Sequence, residues 1–259
     1  MNGRFPSIIK TKGPAVLAVL LLLLLWQGAC MLGLVPGFML PSPVEVVQAF
    51  CADFPLLAKH AFITLQEAFL GLGCGLLLGF VLAVVMDSSA FLRRAFYPLM
   101  VFSQTVPTVA IAPLLVLWFG YDMLPKVLLI VLTTFFPVTV GLMEGFAAVD
   151  RDAVGLLRSM GARRCQIFRQ LKFPSALPQF FSALRIAVAY SIVGAVISEW
   201  LGGFGGLGVY MTRVRKAFAY DKMFAVIFLI CALSLLLMGL VELAERKSMP
   251  YRFLKENKK

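Results

Sequence analysis

The residues of this sequence that could do chemistry are few and lie among long apolar runs. Histidine occurs once, as His60, at the edge of an apolar run, and no run holds a Ser/His pair or two aspartates deep inside it. Catalysis within a membrane would need such a pair to move a proton or activate a nucleophile. A lone histidine at an edge is more typical of an interfacial side chain. We therefore expect no catalytic residue and no enzymatic activity in this chain.

The cysteines offer no cofactor chemistry. There are five of them, and no two are separated by the CxxC or CxxxC spacing that favours a metal site or a redox pair. We predict neither a disulfide framework nor a metal site, and we interpret the cysteines as small buried apolar residues. The sequence also lacks the phosphate-binding pattern GxxxxGK[ST]. No cofactor is therefore expected in this chain.

Polar side chains inside the apolar runs indicate a different chemistry, the passage of a solute. Gln104 and Thr105 lie beside Pro107, and a proline there kinks or interrupts a helix and frees backbone carbonyl groups. Tyr190 and Ser191 lie in the middle of a later run. Tyr190 and Ser191 are the better candidates for facing a path across the membrane. For Gln104 and Thr105, with Ser103 and Thr108, two interpretations fit equally. They line a path across the membrane, or they form hydrogen bonds between helices worth about 0.6 kcal/mol each.

Three ionisable residues also fall within apolar runs, and charged groups at membrane depth call for a functional explanation. Glu67 lies about two turns from one edge, and we expect its carboxylate to reach water. Arg185 and Glu199 lie near opposite ends of one run. We expect their side chains to extend toward the membrane surface, as long amphipathic side chains do.

The composition places these residues in a membrane. The 259 residues are 61% hydrophobic and 14% charged, whereas soluble domains are nearer one half and one quarter. Runs of about 20 apolar residues span a bilayer, and lipid requires them to be helical. We predict an all-α, polytopic membrane protein, a single transmembrane domain over residues 1–259. Its six transmembrane helices are expected at Pro14–Val35, Ala61–Met86, Tyr97–Phe119, Leu124–Met143, Phe180–Leu201 and Met223–Val241.

One predicted span carries a packing signal. Gly71, Gly75 and Gly79 recur at intervals of four residues, which places them on one face of a helix. Small residues at this spacing let membrane helices approach closely. We interpret the three glycines as a packing face.

The basic residues set the orientation. Of the 24 Lys and Arg residues, seventeen fall in segments that are cytoplasmic if the N-terminus is inside, and six fall in the outer segments. This bias predicts that both termini lie in the cytoplasm. The cluster Arg213–Lys222 in the last outer loop is a local exception. Orientation thus accounts for the net charge of +11, and nucleic acid is not an expected partner.

The cytoplasmic segment at residues 144–178 is long and basic. From Asp150 onward it carries one apolar stripe at helical spacing, formed by Val154, Leu157, Cys165, Phe168 and Leu171. Gly161 predicts a bend between two short helices, and Pro174 and Pro178 are expected to end the second. One interpretation is an amphipathic helix on anionic lipid. The glycine break and the narrow stripe favour a helix pair that docks on a partner.

These residues carry a resemblance to a known family. Gly161, followed after nine residues by Leu171-Lys172-Phe173-Pro174, resembles the coupling-loop signature of permease subunits of bacterial ABC importers. The sequence departs from that signature at Gly155-Leu156-Leu157, where the family has an E-A-A triplet. The resemblance runs from LPSP near Pro41 to Glu245-Arg246.

Within that family the sequence is most similar to the nitrate/sulfonate/taurine branch. The segments SQTVPTVAIAPLLVLWFGY, MGARRCQIFRQLKFPSALP and GAVISEWLGGFGGLGVYM look most like permeases assigned to the hydroxymethylpyrimidine precursor of thiamine. Related permeases of this branch carry sulfonates, nitrate or taurine.

The resemblance implies a permease in the bacterial inner membrane that works by alternating access. It implies an ATPase subunit dimer that binds ATP and Mg²⁺, an extracytoplasmic substrate-binding protein, and a pair of permeases, expected to be a homodimer. The expected ATPase contact consists of Arg158, Met160, Gly161, Ala162, Arg163, Phe168 and Pro174. Gln104, Thr105, Tyr190 and Ser191 are the expected path residues.

An ion-coupled secondary transporter is the alternative from another class. It would need ionisable residues at the membrane midplane, and none lies there in this sequence.

Overall fold

The computed structural model describes residues 6–33, 35–37 and 39–250, with the side chains of residues 6–12, 15 and 16 excepted. The two ends of the chain, which are predicted to lie in the cytoplasm, are outside the described residues. The described part consists of helices and their connections. The helices are α1 (Pro6–Met31), α2 (Pro43–Ala52), α3 (Phe54–Ser88), α4 (Ala90–Thr105), α5 (Thr108–Phe119), α6 (Met123–Ala147), α7 (Arg151–Ser159), α8 (Arg164–Ile167), α9 (Phe173–Leu201), α10 (Leu207–Lys216) and α11 (Tyr220–Ser248).

Four helical stretches of the described chain are long and apolar enough to cross a bilayer. They are α3, α6, the continuous stretch Arg164–Leu201 that ends in α9, and α11. Four of the six predicted spans are therefore confirmed as candidate spans. Within α1, Leu17–Met31 is a shorter apolar helix.

The predicted third span is interrupted. α4 and α5 are separated by Val106 and Pro107, and the two helices are bent by 95°. Both linking residues have extended backbone conformations, with ψ of 122° and 121°. The residue before a proline is driven out of the helical region by the proline ring, so the helix stops and restarts at this position.

The cysteines are not buried, contrary to the expectation from their small apolar side chains. Cys30 is half-buried and the other four are exposed. Cys74 and Cys231 lie on the candidate spans α3 and α11. An outward-facing apolar side chain on a span has lipid as its solvent, so the burial rule for soluble proteins does not apply to it.

The chain divides into two compact units. The first comprises the described residues up to Ala58 together with Met211–Leu229. In this unit Ser42 and Glu45 form a reciprocal cap at the start of α2, with the Ser42 amide donating to Glu45 Oε2 at 2.7 Å. The Trp26 indole donates to the Pro41 carbonyl oxygen at 3.1 Å, which ties α1 to the segment that leads into α2.

The second unit comprises Lys59–Tyr210 and the described residues from Ile230 onward, and α6 lies at its centre. α3 approaches one side of α6 through Gly71, Gly75 and Gly79. A Cβ atom added at these positions would come within 2.5 Å of Ile130, overlap the Thr134 hydroxyl, and come within 2.8 Å of the Phe135 carbonyl oxygen, respectively. The predicted glycine packing face is confirmed.

α9 also packs closely against α6 through glycines, and these glycines belong to α6. A Cβ atom added at Gly141 would lie 2.6 Å from the Ala183 Cβ, and one added at Gly145 would lie 2.6 Å from the Ala176 Cβ. Ile130 and Leu142 of α6 and Ile192 of α9 are completely buried in the core of this unit. The two helices therefore form one tightly packed antiparallel pair.

Gly75→Ala is expected to destabilise the protein by about 1–3 kcal/mol, the usual cost of overpacking a close interface. The added methyl group would overlap the Thr134 side chain. Thermal unfolding of the detergent-solubilised protein would show this as a lower Tm.

Gly73→Ala is the matched control, because Gly73 lies on the same helix with open space around its Cβ position. It is expected to leave the Tm unchanged or to raise it, since alanine favours a helix by about 1 kcal/mol over glycine. Equal Tm values for the two variants would contradict the assigned packing face.

Candidate functional site

The segment at residues 144–178, predicted to be cytoplasmic, contains a capped helix and a defined turn. The Asp150 carboxylate accepts from the Asp152 amide at 2.9 Å at the start of α7. At the end of α7 the Ala162 amide donates to the Leu157 carbonyl at 2.9 Å, and the Gly161 amide donates to the Arg158 carbonyl at 3.0 Å. These two bonds form a Schellman motif, which requires a left-handed residue. Gly161 supplies it with φ +83°, so the predicted bend is confirmed.

The second half of the segment contradicts the prediction that Pro174 and Pro178 end its helix. α8 passes into a π-helical turn, Phe168–Lys172, and continues as α9 without a break. The Phe173 amide donates to the Phe168 carbonyl, five residues back. This wider turn lies directly before Pro174, which has no amide hydrogen to donate. Both prolines are therefore accommodated within one continuous helical path.

The inner face of the segment is packed against the second unit. Phe168 lies 5.3 Å from Phe146 between ring centroids and 6.3 Å from Phe173. Lys172 pairs with Asp87, in the last turn of α3, at 2.7 Å. Ile167 is buried, whereas Cys165, predicted on the apolar stripe, is exposed. Of the predicted stripe, Val154, Leu157, Phe168 and Leu171 are partly buried and Cys165 alone departs. The break at Gly161 interrupts the regular helical spacing before Cys165.

The outer face of the segment presents apolar and basic side chains together. Leu156 is 62% and Met160 74% exposed. Of the predicted ATPase-contact residues, Arg158, Met160, Gly161 and Arg163 are exposed, Ala162 is half-buried, and Phe168 and Pro174 are half-buried within the chain's own packing. The exposed members form a continuous surface around the turn at Gly161.

A groove of about 450 Å³ runs along α6 and α9 in the second unit. Gln104 of α4 and Tyr190 of α9, two of the predicted path residues, line it together. The groove also contains polar side chains that were not predicted, namely Glu144, Gln179 and Ser182. The sequence holds a signal for Ser182, which lies eight residues before the predicted Tyr190 on α9.

The other two predicted path residues lie elsewhere. The Thr105 hydroxyl donates to the Phe102 carbonyl at 2.8 Å, and the residue is exposed at the end of α4. Ser191 is buried, and its hydroxyl donates to the Val188 carbonyl at 2.8 Å. Neither residue is among those that line the groove.

A cluster of buried polar residues joins α3, α6 and α9 at one end of the second unit. Lys126 and Glu67 form an ion pair at 2.5 Å, and they are 6% and 2% exposed. The Glu199 carboxylate, 1% exposed, accepts from the Thr64 hydroxyl at 2.7 Å and from the Gly208 amide at 2.6 Å. Buried charges require partners of this kind.

This cluster holds the glycine-rich connection that follows α9. The Leu207 amide donates to the Thr64 hydroxyl oxygen at 2.8 Å, and the Gly206 amide donates to His60 Nδ1 at 3.0 Å. Gly206 has φ +115°, and a Cβ atom there would overlap the Glu199 carboxylate. Glycine is therefore required at this position for both conformation and space.

The cluster corrects several expectations drawn from the sequence. Glu67 and Glu199 do not reach water, and His60 is a buried hydrogen-bond acceptor and not an interfacial side chain. Lys126 lies in the first turn of α6 and is buried. Arg185 does not simply extend to the surface, because it pairs with the buried Glu245 of α11 at 2.9 Å.

Comparison with known proteins gives matches over most of the chain. Residues 75–249 match the family model for the binding-protein-dependent transport system inner membrane component. The chain is 38% identical to the formylaminopyrimidine transport permease protein ThiX of Halalkalibacterium halodurans, over 90% of this chain and 93% of the relative. It is 31% identical to the putative aliphatic sulfonates transport permease protein SsuC of Bacillus subtilis, over 93% of this chain and 87% of the relative.

A solved structure is similar in fold. The crystal structure of an amino acid ABC transporter with histidines superposes with a TM-score of 0.65, at 19% identity. The match covers 77% of this chain and 97% of that chain.

Lys126→Met is expected to destabilise the protein by about 3–5 kcal/mol, because it leaves the Glu67 carboxylate buried without its partner. Adding Glu67→Leu to this variant should recover much of the loss, since the buried charge is then removed as well. Thermal unfolding in detergent would measure both effects.

Glu242→Gln serves as the control, because it removes the exposed Glu242–Arg246 pair. It should cost at most about 1 kcal/mol. A loss of Tm for Lys126→Met no larger than the loss for this control would contradict the assigned role of the buried pair.

Proposed function

The chain belongs to the family of inner membrane components of binding-protein-dependent transport systems and is an ABC importer permease, and we propose that its solute is a small pyrimidine precursor of thiamine. The observation that carries this proposal is the 38% identity to a formylaminopyrimidine permease over 90% of the chain. The proposed location is the bacterial inner membrane.

The proposed topology has six spans and cytoplasmic termini. α1 and the bent pair α4–α5 join the four candidate spans in this assignment. The excess of Lys and Arg in the segments assigned to the inside supports the orientation. In this proposed orientation, the turn at Gly161 is in the cytoplasm and the buried cluster around Glu199 is at the outer end of the spans.

The proposed coupling element is the exposed surface around Gly161. It comprises Leu156, Arg158, Met160, Gly161, Ala162 and Arg163, which combine apolar and basic contacts of the kind that anchor protein interfaces. Phe168 and Pro174 support this surface from inside the chain. A separate ATPase dimer would bind ATP and Mg²⁺ and would seat on this surface, so this chain itself has no catalytic role.

The proposed mechanism is alternating access by two identical permeases, loaded by an extracytoplasmic binding protein. Closure of the ATPases would favour one of two permease conformations because they bind it more tightly. The continuous path from α8 through the π turn into α9 would carry that displacement to the groove at Gln104 and Tyr190. Thr105 and Ser191 would act outside the groove, at its margins.

A sulfonate is the second candidate solute. Its support is the 31% identity to a putative aliphatic sulfonate permease over 93% of the chain.

Gly161→Ala is expected to reduce ATP-driven uptake of formylaminopyrimidine about tenfold in proteoliposomes that contain the complete importer. Alanine at φ +83° costs about 1–2 kcal/mol, and 1.4 kcal/mol corresponds to a factor of ten. Uptake and ATPase co-purification are the measurements, and a sulfonate is the competing substrate.

Gly239→Ala is the control, because Gly239 lies on α11 with open space around its Cβ position. Its uptake should match the parent protein. Full uptake by the Gly161→Ala importer, or a permease that never retains an ATPase, would contradict the coupling role. Uptake of the sulfonate alone would replace the proposed solute with the second candidate.

The topology predicts opposite labelling of two native cysteines. Cys165 and Cys51 are both exposed, and the proposed orientation places Cys165 inside and Cys51 outside. A membrane-impermeant maleimide should label Cys165 only in inside-out vesicles and Cys51 only in right-side-out vesicles. Labelling of both residues from the same side would overturn the six-span assignment.

A further inference from the structure

The groove carries polar side chains on helices that are otherwise apolar. Gln104, Glu144, Ser182 and Tyr190 are exposed on helices of the second unit and face this groove. Polar and charged side chains on spans face a water-filled cavity or another protein, because hydrocarbon offers them no partners. The groove therefore belongs to a hydrated path and not to the lipid-facing surface.

The groove has the size of a site for a small molecule. Its volume of about 450 Å³ lies in the range of about 300–1,000 Å³ found for ligand sites. It extends along α6 from Phe136 to Glu144, a rise of about 12 Å at 1.5 Å per residue. Phe136 and Tyr190 provide aromatic surface near one end, against which a planar ring could pack.

Its hydrogen-bonding groups favour a ligand that donates. Gln104 Nε2 donates to the Leu132 carbonyl at 3.0 Å, which fixes the amide and leaves Oε1 as an acceptor. Gln179 Oε1 is buried and has no hydrogen-bond partner among the described residues. The Ser182 hydroxyl donates to the Pro178 carbonyl at 3.1 Å, so its oxygen is also left to accept. Amino or ring N–H groups of a ligand would satisfy the Gln104 and Ser182 acceptors, and a rotation of the Gln179 side chain would bring its unpaired Oε1 to the same ligand.

The charge of the groove disfavours an anion. Within the described residues its lining contains Glu144 and no Lys or Arg. Arg185 lies next to the lining residue Ile186 on α9, but it pairs with Glu245 at 2.9 Å. A sulfonate or carboxylate in this groove would lose water without gaining a counter-charge, which is costly.

We propose that this groove is a solute-binding site within the permease itself, selective for neutral or cationic planar heterocycles that carry amino groups, and that it rejects anions. Gln179 and Gln104 hold the amino groups and Glu144 sets the charge preference. This inference rests on the proposed function, because it takes the groove as part of the path of an importer.

A cysteine at Ser182 tests the charge preference without any transport. In a background with the five native cysteines replaced by serine, Ser182→Cys is modified in inside-out vesicles by two methanethiosulfonate reagents. One carries a trimethylammonium group and the other a sulfonate. Each rate is divided by the rate with a free thiol in solution. The normalised rate is expected to be about tenfold higher for the cation, and Glu144→Gln should reduce this ratio to near one.

Three results of this experiment would overturn the proposal. They are equal normalised rates, a faster reaction with the sulfonate, and no reaction of the cysteine with either reagent. None of these measurements involves ATP or a partner subunit, so the charge preference can fail while the importer function stands.

Uptake by the complete importer tests the binding residues. Gln179→Leu is expected to reduce formylaminopyrimidine uptake at least tenfold while ATP hydrolysis is retained. Gln48→Leu, the same change on the exposed face of α2, should leave uptake unchanged. Parental uptake by the Gln179→Leu importer would overturn the site. If the parent importer takes up no solute at all under ATP, the proposed function fails, and the cysteine rates still decide the charge preference.

Discussion

Close contact on two sides of α6 governs the arrangement of the second unit. Glycines of α3 meet one side of α6, and glycines of α6 itself meet α9 on the other. At these distances no side chain fits between the backbones, so neither neighbouring helix can slide or rotate freely. Lys126 is thereby brought to Glu67 at one end of α6, and the groove follows the α6–α9 contact toward the other end.

The buried cluster at Glu199 contributes more to selecting one arrangement of the chain than to its stability. A buried ion pair gives little net stability compared with apolar packing, but it is very costly to break. Here Glu199 and Thr64 bind backbone amides of the connection after α9. Only one placement of that connection satisfies these groups, so the cluster selects a single arrangement of α3, α9 and the following chain.

The sequence predicted features that depend on local composition and missed features that depend on distant partners. Apolar runs located four candidate spans, Gly161 located the turn, and the Val106-Pro107 step located a helix break. By contrast, Lys126 and Glu67 are separated by 59 residues, and no local pattern links them. The Pro174 prediction failed because proline stops a regular α-helix, whereas a preceding π turn removes the conflict.

The π turn at Phe168–Lys172 has a consequence for how this protein can evolve. Since the helical path is continuous from α8 into α9, each residue added or removed there rotates one part relative to the other by about 100°. Substitutions in this stretch leave the angular phase intact, whereas a one-residue insertion or deletion would turn the surface at Gly161 away from its position relative to the groove. Evolution is therefore expected to conserve the number of residues in this stretch more strictly than their identities.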